Sequence, residues 1–188
     1  NLGIREDLQD VISSIAPTET PFMSAAAREQ IKNTLHEWQT DSLASAATNN
    51  AVIEGDEATL DASTATSRIG NFTQSMDKTV VITGTQEAVD KAGRASELAY
   101  QIAKKSKELK RDIEATLLTN QARAAGNAST ARTFGSIGAW IATNDNLASD
   151  GSSPTASDGS DARNDGTQRA LTEDMVKEVI KCCWNSGG

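Results

Sequence analysis

Very few residues in this chain have the type and spacing to do chemistry. The 188 residues include one histidine, His36, so any nucleophile–base pair or histidine metal site would have to be built around it. It stands beside Glu37 and Trp38 in a segment that reads as a strand, and a satisfied strand histidine is the better reading. The two cysteines, Cys182 and Cys183, are adjacent. That gives neither a CxxC spacing nor a second pair, so a zinc site lacks its ligands. Neighbouring cysteines bridge each other only with strain, which leaves buried helix cysteines and a reducing compartment. The aspartates at 150, 158, 161 and 165 do not form an EF-hand loop, which needs a central glycine and a terminal glutamate. A solvated loop is preferred there to a loosely held calcium ion. No GxGxxG or P-loop pattern occurs. Asn71-Phe72-Thr73 and Asn127-Ala128-Ser129 match the glycosylation sequon, but no secretory signal is visible. Lys104-Lys105-Ser106-Lys107-Glu108-Leu109-Lys110-Arg111 has the charge to touch phosphates, yet reads first as a solvated helix face or a partner for acidic neighbours. No catalytic, cofactor-binding or metal-binding residue is assigned, and no enzyme activity is expected.

The elements that would position any site carry more information. Residues 1 to 33 read as an arm. Leu8, Val11, Ile12 and Ile15 give a short helical stripe ending at Pro17, and Pro21 follows before an apolar stretch from Phe22 to Ala27. Residues 34 to 83 read as a β excursion. Thr34 to Leu43 is its outgoing strand around Trp38, Thr64 to Thr83 its return, and Thr79-Val80-Val81-Ile82-Thr83 its strongest strand signal. Glu37, Asp41, Glu54, Asp56, Glu57 and Asp61 lie in a stretch without Lys or Arg. A lone hairpin is marginal in water, so this one needs a surface to lie on.

Residues 84 to about 125 read as one long helix. Thr83 and Gln86 fit a capping box, and Glu87 and Asp90 are spaced to pair with Lys91 and Arg94. Ala88, Ala92, Ala95, Leu98, Ala99, Ile102, Leu109, Ile113 and Leu117 share one face, Lys104, Lys107 and Arg111 the opposite one. Gly93 is the place for a bend and Gly126-Asn127 the stop. Residues 126 to 170 look irregular, with 144 to 168 a long exposed loop of Asp-Gly turns. Residues 171 to 184 form a further helix capped by Thr172, with Leu171, Met175, Val176, Val179, Ile180 and Cys183 facing a core. Aromatic residues make up only 4% of the chain. Neither the excursion nor the helix can bury its apolar surface alone, so the core is expected to be completed by neighbouring copies. The net charge of −8 excludes a nucleic-acid binder by bulk electrostatics. No apolar run reaches the length of a membrane span.

An arm, a β excursion, a long helix and an irregular region, in that order, resemble a tailed-phage major capsid protein of the Hong Kong 97 (Johnson) fold. Gly3-Ile4-Arg5-Glu6-Asp7-Leu8, Ala16-Pro17-Thr18-Glu19-Thr20-Pro21-Phe22-Met23-Ser24 and Arg68-Ile69-Gly70-Asn71-Phe72-Thr73-Gln74 are similar to the SU-ten-like major capsid family of Caudovirales. So are Met76 to Arg94 and Ala103 to Glu114. The resemblance implies an α+β fold with residues 1-33 as N-terminal arm, 34-83 as E-loop, 84-125 as spine helix and 126-188 as the first part of the P-domain. It implies a self-assembling icosahedral shell of pentamers and hexamers around double-stranded viral DNA, hence a virion location after synthesis in the host cytoplasm. The partners implied are further copies of the chain, a decoration or cement protein and non-specific contact with packaged DNA, without a membrane or cofactor. Family members continue past the equivalent of Gly188, so the chain is expected to be an N-terminal part. Trp38 and Phe22 are expected to be buried against other subunits, and Thr83 to Thr85 to be a hinge. A helical filament or surface-layer protein is the alternative.

Overall fold

The computed structural model describes residues 19–187 apart from 59, 61, 91 and 92. The helical stripe at Leu8, Val11, Ile12 and Ile15, together with Pro17, Asp61, Lys91 and Ala92, lies outside the described residues. The fold is mixed α+β. Its elements are α1 (Pro21–Ala25), β1 (Leu35–Thr40), β2 (Ser67–Phe72), α2 (Gly84–Ala88), α3 (Glu97–Leu118), α4 (Ile137–Trp140) and α5 (Glu173–Asn185).

β1 and β2 form an antiparallel hairpin in register from Leu35 opposite Phe72 to Thr40 opposite Ser67. Trp38 faces Ile69 across the pair, the kind of aromatic–β-branched pairing that stabilises a ladder. Residues 41–66 contain no further helix or strand among the described residues. The strongest strand signal is not a strand. Thr79 to Thr83 is irregular chain, and Thr79 to Ile82 share a cleft with Glu97, Gln101 and Lys105 of α3. β-propensity expresses fit to a pleated surface, and no strand edge is offered here; Val81 stays exposed.

The helix expected over 84 to 125 is two helices. α2 ends where Val89 turns extended (φ −87°, ψ 152°), and Gly93 takes a left-handed φ of +74°. α3 then starts afresh. The Ser96 hydroxyl accepts from Ala99 N–H at 3.2 Å. The Glu87 carboxylate accepts from Glu97 N–H at 3.0 Å and Leu98 N–H at 3.2 Å. Arg94, expected to pair with Asp90, instead pairs with Glu97 and lies over the Tyr100 ring. Half of the expected capping box forms, with Thr83 Oγ1 accepting from Gln86 N–H at 3.4 Å. At the far end α3 stops at Leu118, well short of Gly126. There the Thr119 carbonyl accepts from the Ser136 hydroxyl and Gln121 N–H donates to Ser136 Oγ at 2.7 Å, so the chain is drawn into the next segment before the turn residues arrive.

The loop at 144 to 168 is less exposed than its composition implied. Ser152 and Asn164 exchange backbone bonds, both 2.9 Å, and Pro154 and Gly159 are buried. Gly159 sits at φ +75° against the Trp140 ring, where an added Cβ would come within 2.7 Å of a ring carbon. Among the described residues Ala139 is the buried apolar side chain. The chain exposes 15455 Å², against about 8600 Å² for a compact protein of this mass. That excess lies partly on α3 and α5. Leu98 and Ile102 of α3 are exposed. On α5 and just before it, Leu171, Val176, Ile180 and Cys183 are exposed and Met175 and Val179 half-buried, so the face expected to meet a core is open.

Candidate functional site

The hairpin root is where the long-range polar contacts gather. Asn71 sits at the end of β2, opposite His36. Its side-chain amide donates to the Gly135 carbonyl at 3.1 Å and accepts from Gly135 N–H at 2.8 Å. These are the two bonds a backbone peptide makes in an antiparallel ladder. The Gly135 carbonyl also accepts from Trp140 Nε1 at 3.0 Å, and the Trp140 ring stacks on Trp38 with centroids 5.3 Å apart. Arg123 donates to the Gly70 carbonyl and to Asp158, while Arg132 Nε donates to the Thr73 carbonyl at 2.5 Å. Gln74 Oε1 accepts from Gln121 at 2.9 Å and from Phe134 N–H at 3.3 Å. Hydrogen bonds from the Ser160 hydroxyl and then its N–H, with Arg123 nearby, hold the Asp158 carboxyl below its usual range.

Next to this junction α3 presents three faces. The Glu97, Gln101, Lys105, Glu108 and Asp112 face is partly covered. Lys78 from the preceding segment reaches Asp112 at 2.5 Å, and Lys105 reaches Glu108 at 2.6 Å. The first contact raises the Lys78 pKa and the second lowers that of Glu108. At 100° per residue Leu98, Ile102, Leu109, Ile113 and Leu117 form an apolar arc, exposed at Leu98 and Ile102 and half-buried at the other three. Lys104, Lys107, Lys110 and Arg111 form an exposed basic one, with no ion-pair partner among the described residues. Glu114 falls within the basic arc, 9% exposed. Its two oxygens accept from Phe22 N–H at 2.8 Å and Met23 N–H at 2.7 Å, which fastens α1 to α3.

The hairpin tip has the opposite character. Asp41, Glu54, Asp56 and Glu57 are exposed there, among Leu43, Val52, Ile53 and Leu60, which are 78 to 100% exposed. A separate open groove of about 400 Å³ runs along α5, lined by Asn146, Arg169, Leu171, Met175, Val179 and Ile180.

The residues singled out for chemistry are not brought together. His36 lies half-buried in β1 with its ring 5.7 Å from Trp38. Cys182 is half-buried and Cys183 exposed, both free. Of the loop aspartates, Asp150 accepts from the Thr167 hydroxyl and N–H, which lowers its pKa; Asp158 meets Arg123 and Asp165 meets Arg163. These three are satisfied by their own surroundings, and Asp161 is exposed. Among the described residues no group of three or more His, Cys, Asp or Glu is placed to hold a metal ion. None of their helices is long and apolar enough to cross a membrane. Phe22 is half-buried on α3 and Trp38 is 37% exposed.

α3 thus carries a partly exposed apolar arc and a cation-rich arc, and the hairpin tip carries exposed acidic and aliphatic side chains. The sequence matches the family described as SU10 major capsid protein across residues 1–188. The chain belongs to the SU10 major capsid protein family. A relative, the major capsid protein of Escherichia phage Phieco32, is 44% identical over 112 residues, covering 60% of this chain and 32% of that protein. The chain therefore matches about a third of the length of this relative.

The residues that tie distant segments together here are Asn71, Arg123, Glu114, Gly135 and Trp140, and sequence reading gave none of them this part, Asn71 having stood out only within a glycosylation sequon. Trp140 left one signal: it is one of three tryptophans and stands in the short run Ile137-Gly138-Ala139-Trp140-Ile141 in an otherwise polar stretch. The others act through backbone atoms of distant residues and leave no local pattern.

Proposed function

We propose that this chain forms part of a structural major capsid protein that self-assembles into an icosahedral shell around double-stranded viral DNA, with the Hong Kong 97 fold. Residues 1-33 act as the arm, 34-83 as the E-loop, 84-125 as the spine segment and 126-188 as the start of the P-domain. The observation that carries this reading is the family match over the whole chain. The open faces support it, because isolated apolar arcs of this kind are stable only when something covers them. The partner is a second copy. The acidic aliphatic tip at 41-66 lies across the apolar and basic arcs of a neighbour's α3, so that aliphatic contact gives affinity and charge sets register. Pentamers and hexamers, a decoration protein and loose contact with packaged DNA complete the proposed partners, and the virion is the location.

The complete protein, purified and taken to assembly conditions, tests this by electron microscopy. Closed shells are the expected product. Helical tubes would favour the filament or surface-layer alternative, and a persistent monomer would overturn both.

A further inference from the structure

The hairpin is a lever with a small foot. β1 and β2 pack on each other, and neither packs its backbone against a helix. Its hold on the rest of the chain is the Asn71–Gly135 pair, the Arg123 bond to Gly70, the Arg132 bond to Thr73, the Gln74 contacts and the Trp38–Trp140 stack. All of these lie on the return end of β2 or on one ring of β1, and all meet residues 121–140. Most are directional polar bonds, which weaken steeply when their geometry slips. A single hydrogen bond would act as a pivot. Two parallel bonds from one planar amide also fix the rotation about it.

We infer that this foot, centred on the Asn71–Gly135 amide pair, is the positioning element that fixes the direction of the hairpin and through it the curvature of the assembly. The inference rests on the capsid reading, with the tip seated on a second copy. Six strand residues carry the tip about 20 Å from the root. A rotation of about 5° at the foot therefore moves the strand end by about 2 Å, enough to take an ion pair out of contact range. Repeated at every copy, such an error changes the angle between neighbours rather than the protomer. Arg123 and Asp158 extend the same foot to the loop carrying Gly159, which packs on the Trp140 ring.

The test uses the complete protein. Asn71→Leu removes both bonds, and Asn71→Asp keeps the acceptor for Gly135 N–H while losing the donor. Wild type is expected to give one narrow class of shells. Asn71→Leu is expected to give closed and open particles with a diameter spread at least about twofold broader, with amide exchange of α3 unchanged. Asn71→Asp should fall between, and it carries the test if the leucine variant does not fold. Uniform wild-type-sized shells from a folded Asn71 variant overturn the inference alone. Failure of the wild type to form shells removes the capsid reading and this inference with it.

Discussion

A carboxylate held beside a helix must be satisfied, and Glu114 is satisfied by the amides of Phe22 and Met23. Hydrogen bonds to a charged group contribute about 1.5–3 kcal/mol each, which is most of what secures a five-residue helix whose following residues, 26–34, are all exposed. Glu114→Ala is therefore expected to detach α1 without unfolding α3. Hydrogen exchange should show it, with the Phe22 and Met23 amides accelerating about tenfold or more while amides within α3 are unchanged. Glu114→Gln, which keeps one acceptor, should fall between. Asp158 makes a second prediction, with a definite sign. Its folded pKa is lowered from 3.8 by Ser160, with Arg123 assisting. Its contribution to stability is thus present above the ordinary carboxylate pKa and lost as pH falls through the lower folded value. In an NMR titration the Asp158 carboxyl carbon should turn over below 3.8. Amide protection at 158–160 should persist to that lower pH, and Asp158→Asn should abolish this pH dependence.

The break before α3 is an element-scale device, because the helix start is held by one local cap and one from the preceding helix. Ser96→Ala should cost about 1 kcal/mol. Glu87→Gln removes a charge from the N-terminal end of the helix and should cost about 0.3–1 kcal/mol. Since both serve one turn, the double variant should fall short of or exceed the sum, and thermal melts of the three variants measure that coupling. Periodicity could not reveal this break, since Ala88, Ala95, Leu98 and Ile102 keep helical spacing straight through it. Gly93, read as the place for a bend, marks it with its left-handed φ of +74°, and the cap from Glu87 ten residues away was not legible. The hairpin was legible because alternation and the Trp38 region mark a half-buried strand, and β1 lies within the expected Thr34 to Leu43. The Thr79 to Thr83 run had the same residue chemistry but no partner edge. Thr172 was legible as the residue that starts α5, although its side chain makes no capping bond, whereas the state of the α5 face was not, since an apolar stripe says that something covers it and not what. The junction of Asn71, Gly135 and Arg123 was hidden for a related reason. Side-chain bonds to remote carbonyls have no spacing rule.

At the scale of the whole molecule the charge is both negative in sum and divided in space. The net charge of these 188 residues is −8, which adds to long-range repulsion between copies, while in the proposed contact the acidic tip and the basic arc of α3 attract within about 8 Å at physiological salt. Bulk repulsion and local pairing predict opposite outcomes for one substitution set. Changing Glu54, Asp56 and Glu57 to Lys takes the net charge from −8 to −2, since three reversals add +6. Weaker repulsion alone would speed assembly; loss of the pairing would slow it. Changing Lys104, Lys107 and Lys110 to Glu takes the charge to −14, where both effects slow it. Combining the two sets returns the charge to −8 and restores opposite signs across the contact. Light scattering of the complete protein is expected to show about tenfold slower assembly for each set alone, the acid-to-lysine set included, and recovery in the combined variant. Faster assembly by the acid-to-lysine variant would assign the charge to solubility instead. A combined variant as slow as the slower single set would mean that the tip and α3 do not meet.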